Sequence, residues 1–87
     1  MCTEIATSTP IAGSARTARG WVAVNEAIVT FDHATHAWAD HAVRLDFMSA
    51  GDPAADHVAV ELDLASGRAL LTHLQEVIAA ADRSGVS

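Results

Sequence analysis

The segments "AIVTFDH" (27–33) and "HAVRLDF" (41–47) constrain this chain more than any other feature. Each alternates apolar and polar residues with the period of two that marks a half-buried strand. Seven residues, "ATHAWAD", separate them, which is a hairpin spacing with a longer loop. Setting Phe31 opposite Val43 also sets Val29 opposite Leu45 and Ala27 opposite Phe47. A slip of one residue would send either apolar set to the opposite face, so burial alone selects the register. In that register the next pair is His33 with His41.

The flanking sequence extends this hairpin into a small α+β domain. "CTEIATSTP" (2–10) suits a short strand ended by Pro10, and "PIAGSARTARG" (10–20) reads as a loop. An anion resting on Arg16, Arg19 and the backbone near Gly13 is one reading of that loop; a plain connection is the other. Residues 21–33 form a long strand, in which Val22 and Val24 differ in parity from Ala27, Val29 and Phe31. A β-bulge near Asn25 and Glu26 would bring both sets to the core. Residues 41–48 form the next strand, "SAGDPAAD" (49–56) is a turn, and 57–63 form a strand with Val58, Val60 and Leu62 inward. From 64 to 83, Leu70, Leu74, Val77, Ile78 and Ala81 keep helical spacing along one stripe. Asp63 or Ser66 can cap the start of this helix, and Gly85 lies where it should end. The expected order is β-β-β-β-α, a four-stranded antiparallel meander packed against one C-terminal helix. One helix cannot cover such a sheet and both its edges, so homodimerisation through the sheet is expected.

Three of the five histidines, His33, His36 and His41, fall within nine positions. Opposed residues on paired strands have Cβ atoms about 4.5–5.5 Å apart. Imidazoles there can converge on one ion at metal–nitrogen distances of about 2.0–2.1 Å. His36, in the loop, can fold over the same point. Three neutral imidazoles suit Zn, Cu, Ni or Fe(II) and leave a coordination position open for a substrate or an activated water. Asp40 is a better second partner for a ring N–H than Asp32, which parity sends to the other face. Cys2 could close the site as a fourth ligand. The same histidines could equally work without metal, as acid or base or as ligand contacts, or could simply stack at the rim of the core. The spacing H-x-x-H-x-x-x-x-H is not a zinc signature. Trp38 either walls a pocket beside these residues or covers an apolar contact. His57 and His73 read as surface residues.

Composition removes several classes. With 87 residues, one core of modest size is expected, and small domains of this kind often need a metal, disulfides or a second subunit. Cys2 is the single cysteine, so no intrachain disulfide forms. One thiol and no signal-like apolar run point to the cytoplasm. The formal charge is −6, and the five basic residues, all arginines, are scattered among eleven carboxylates. That balance argues against nucleic acid and against an anionic membrane surface. Neither a nucleophilic triad nor a carboxylate pair can be argued.

Taken in order, "MCT", "GS" (13–14), "GW" (20–21), "FDHATHAWADH", "LDF" and "VAVEL…SGRAL" resemble a family of very short bacterial proteins of unknown function. The resemblance runs along nearly the whole chain. Two places depart from it: Ala34 stands where proline usually follows the first histidine, and Asp40 where glutamate usually precedes the last. The resemblance implies a stand-alone bacterial protein and carries no activity. The residues themselves lead to a metal-binding protein with His33, His36 and His41 as ligands, acting as an enzyme on a small molecule in specialised bacterial metabolism. The other class is a metal-free dimeric ligand-binding or protein-interaction module.

Overall fold

The computed structural model describes residues 5–33, 41–52 and 57–85. The elements are β1 (Ile5–Thr17), β2 (Gly20–His33), β3 (His41–Met48), β4 (Val58–Leu62) and α1 (Leu64–Ser84). The strands form one antiparallel sheet in the order β1-β2-β3-β4. This is the α+β meander expected from the alternation.

The β2–β3 register is the one selected by the apolar residues: Ala27 faces Phe47, Val29 faces Leu45, Phe31 faces Val43 and His33 faces His41. β4 extends the same apolar face, with Val58, Val60 and Leu62 opposite Phe47, Leu45 and Val43. On the other side of the first hairpin, Ile5 and Thr7 face Phe31 and Val29. One face of the sheet therefore carries Ile5, Val29, Phe31, Val43, Leu45, Phe47, Val58, Val60 and Leu62.

Two expectations are corrected at the start of the chain. The strand does not stop at Pro10, and 10–20 is not a loop. β1 runs on to Thr17, and Ala18 and Arg19 make the turn into β2. Pro10 is tolerated because β1 is an edge strand, where a missing N–H need not cost a ladder hydrogen bond. The turn is held by Thr17, whose Oγ1 accepts from the Arg19 N–H at 3.1 Å and donates to the Gly20 carbonyl at 3.0 Å. Gly20 has φ of 106°, a left-handed conformation that glycine adopts without strain. The anion reading at Arg16, Arg19 and Gly13 loses the loop it needed.

The bulge also lies on the partner strand. Pro10 faces Glu26 and Gly13 faces Val24, so Ile11 and Ala12 together oppose Asn25. The extra residue belongs to β1, and β2 keeps its own alternation. Val24, opposite Gly13, is buried on the face away from Val29 and Phe31. Asn25 is held from the other direction: its Oδ1 accepts from the Ala50 N–H at 2.7 Å, beside a 2.6 Å bond from Ser49 Oγ to the Ala23 carbonyl. These bonds tie the chain leaving β3 back onto β2.

α1 is capped as its sequence implies. Asp63 is the N-cap, its Oδ1 accepting from the Ser66 N–H at 2.7 Å, and Gly85 closes the C-terminus at φ of 77°. The packing of α1 differs from expectation. The helix meets β3 and β4 near its start, where Gly67 sits so close to Val43 that a Cβ would lie 3.3 Å from Val43 Cγ2. No residue of α1 is buried along its 21-residue length. The buried apolar residues among those described are Val24 and Ala42 alone. A glycine lets the helix approach at one point, and a helix anchored at one point does not lay its stripe across the sheet.

Two tests follow. The Asp63 carboxylate is held below its ordinary pKa by hydrogen bonds from the Ser66 side chain and backbone. Its stabilising effect is therefore complete above the unfolded aspartate value of about 3.9 and is lost as pH falls through the lower folded value. Asp63→Ala should lower the thermal midpoint at neutral pH, and Asp63→Asn, which keeps a capping oxygen, should recover most of it. Circular dichroism at 222 nm across pH should show the Asp63→Ala penalty shrinking in acid to what a neutral capping oxygen contributes. At Gly67, Ala gains about 0.8–1.0 kcal/mol of helix propensity against the squeeze on Val43 and should be close to neutral. Gly67→Leu should cost about 1–3 kcal/mol by overpacking, measured by urea denaturation.

Candidate functional site

The candidate site is built at the end of the β2–β3 hairpin. Strand pairing brings the backbones of His33 and His41 directly opposite each other. His41 is exposed, and its ring stacks on Phe31 with centroids 5.6 Å apart and planes at 19°. Phe31 is the diagonal neighbour of His41 in this register, which is why the rings meet. Stacking of this kind limits the directions the imidazole can take and points it along the apolar face. His36, Trp38 and Asp40 lie outside the described residues, as do the side chain of His33 and the whole of Cys2. Among the described residues no group of three His, Cys, Asp or Glu side chains is placed to hold a metal ion. Asp32 pairs with Ala42, one step from the histidine pair and on the opposite face, as its parity requires.

Beside the histidine pair, the apolar face dips into a shallow groove of about 320 Å³ lined by Ile5, Thr7, Val29, Phe31, Val43 and Leu64. Phe31 belongs both to the groove and to the stack with His41. The groove escaped the sequence reading because it needs the far strand β1 and the first helical residue to meet over the hairpin. The Phe31–His41 contact was within reach, since the register already made these residues diagonal neighbours.

The opposite face carries the polar side chains of β3 together with the buried Val24 and Ala42. Arg44 Nε donates to Asp46 Oδ2 at 2.9 Å, and Asp46 is the one buried charged residue among those described. The hydrogen bond to Asp46 raises the Arg44 pKa most, followed by the charge of that carboxylate, with Glu61 across the strand pair adding to it. The guanidinium thus stays charged, and the pair braces β3 on the side away from the groove.

The remaining histidines sit apart from this cluster. His57 precedes β4, is exposed, and lines an open hollow of about 410 Å³ with Glu26, Met48 and Asp52. His73 is on the exposed side of α1, with Nδ1 3.7 Å from Glu76 Oε2. Trp21 is 70% exposed, facing Arg16 across the outer arm of the first hairpin. All three positions are surface positions, as read for the two histidines from the sequence.

The geometry at the hairpin end offers two opposed histidine positions and, beside an apolar groove, the ring of His41. Such an arrangement can grip a cation, relay a proton or face a small apolar ligand. Among the described residues, no helix is long and apolar enough to cross a membrane. Neither a curated protein nor a solved structure matches the chain. A family match does, and it spans residues 1–87. The chain therefore belongs to the family described as "Family of unknown function (DUF6295)".

Proposed function

We propose that His33, His36 and His41 bind a divalent transition metal, Zn, Cu, Ni or Fe(II), at the end of the β2–β3 hairpin. In this reading the protein is a cytoplasmic homodimer and a metal-dependent enzyme acting on a small molecule in specialised bacterial metabolism. The observation that carries the reading is the pairing of His33 with His41, reached by a register that apolar residues alone select. Three imidazole ligands leave a coordination position free, and an open position is what lets a metal polarise a substrate or activate water. The groove beside Phe31 supplies an apolar surface for the non-reacting part of such a substrate. The net charge of −6 directs the reading away from nucleic acid and anionic membranes.

A second reading is a metal-free dimeric module that binds a ligand or a protein, with a cofactor-free enzyme using a histidine as acid or base as its catalytic form. The stack of His41 on Phe31 favours it, because that ring already has a partner within the protein.

Elemental analysis of untagged protein purified without chelator separates the two. The metal reading expects close to one metal per chain in the parent and loss of it in a folded His33→Ala/His41→Ala variant. It also expects that added metal at one hundred times its Kd stabilises the parent by about 2.7 kcal/mol and leaves the variant unmoved. A parent that purifies empty and takes up none of Zn, Cu, Ni, Co or Fe(II) removes the metal and leaves the second reading.

A further inference from the structure

We infer that two copies of this chain associate by laying α1 of each across the apolar sheet face of the other. The inference rests on the homodimer in the proposed function and is independent of the metal.

The argument begins with surface. The chain exposes 6542 Å², whereas a folded monomer of 9.1 kDa exposes about 4,900 Å² by the usual scaling with mass. The excess is roughly 1,600 Å² per chain on that scaling. Covered in two copies, it amounts to about 3,300 Å², inside the range of about 2,000–5,000 Å² typical of obligate homodimers. The radius of gyration agrees, at 14.6 Å against about 12 Å for a compact chain of this length.

Apart from Trp21, the large apolar side chains exposed among the described residues lie on two surfaces. On α1, Leu64, Leu70, Leu71, Leu74, Val77 and Ile78 are 46–67% exposed. At 100° per residue they fall with Gly67 and Ala81 on one stripe about 140° wide. Arg68, His73, Glu76 and Arg83 project outside it. A two-stranded coiled coil needs a narrower seam, and a stripe this broad suits a flat surface such as a sheet. On the sheet, Ile5, Val29 and Val60 are 54%, 40% and 39% exposed and share the face that carries the groove.

These surfaces belong to one chain and do not cover each other. α1 is anchored on the right side of the sheet, through Gly67 on Val43, and its stripe beyond that point is bare. A two-fold axis resolves this, because an isologous contact lets each helix cover the sheet that the other helix leaves open. The partner's helix would then roof the groove at Ile5, Val29, Phe31 and Val43, making an open dip into a pocket beside His41. The polar side of α1 mixes Arg68 and Arg83 with Glu76, and Asp82 stands at the edge of the stripe, which is unlike the basic face of a membrane-lying helix.

The test combines solution mass with contact mapping. Light scattering should give twice the 9.1 kDa chain mass at micromolar concentration. Leu74→Asp/Ile78→Asp should yield the monomer mass. In a Cys2→Ser background, Leu74→Cys chains mixed with Val29→Cys or Val60→Cys chains should form an oxidised cross-linked pair that neither chain forms alone. This second measurement does not require a charged variant to stay folded. A monomeric parent overturns both the interface and the homodimer, and co-sedimentation of that monomer with anionic vesicles would assign the face to a membrane. A dimeric parent whose Leu74→Cys chains cross-link only to themselves overturns the helix-on-sheet contact and leaves the homodimer standing with its helices packed together.

Discussion

The pairing of β2 with β3 is the contact on which the rest of this molecule depends. It sets Phe31 against Val43 and Val29 against Leu45, and from that alignment every other placement follows. β1 joins it on one side and β4 on the other, each continuing the same apolar face. The pair His33–His41 is the last rung of this ladder, and the diagonal step from it creates the stack of His41 on Phe31. Because side chains alternate with period two, a shift of one residue would invert the faces and separate the histidines from the groove.

The second physical fact is that the fold makes one layer well and a second layer incompletely. Sheets and helices are stable when their apolar faces meet, and domains are stacks of such faces. Here one face of the sheet carries Arg44 and Asp46 beside the buried Val24 and Ala42, and the other, more apolar face is touched by α1 near its first turns. Val24 and Ala42 are buried, while Ile5, Val29, Val60 and the stripe of α1 stand open. For a chain of 87 residues, this is the condition under which a second subunit replaces the missing layer.

Legibility in the sequence tracked how local each determinant is. β3, the limits of α1, the Asp63 cap and the Gly85 stop were readable because strand alternation, capping oxygens and left-handed glycines act over a few residues. The opening of the chain misled for the same reason. Pro10, Gly13 and Gly20 are punctuation by local rules, yet an edge strand admits a proline and a bulge admits an extra residue. The parity change along β2 misled: the extra residue lies in β1 opposite Asn25, so β2 is not bulged and Val22 and Val24 stay on the face opposite Val29 and Phe31. Of the candidate site, the His33–His41 pairing was legible through its neighbours, and the groove was not, since Ile5 and Leu64 lie far apart in the chain.

The sequence by itself determined the order of elements, the antiparallel register and the convergence of two histidine backbones at a hairpin end. Each of these follows from a short-range period or from matching two nearby periodic segments, so no distant residue could change the outcome. Only the tertiary structure decided where α1 lies. An amphipathic helix must bury its stripe, but its sequence is silent on whether the surface it meets is its own. Here that was settled by the angle at which five residues past Leu62 let Gly67 touch Val43 and by the length of helix beyond that contact. Direction and reach of a connected element are properties of the assembled chain, and they leave this protein with an apolar face turned outward.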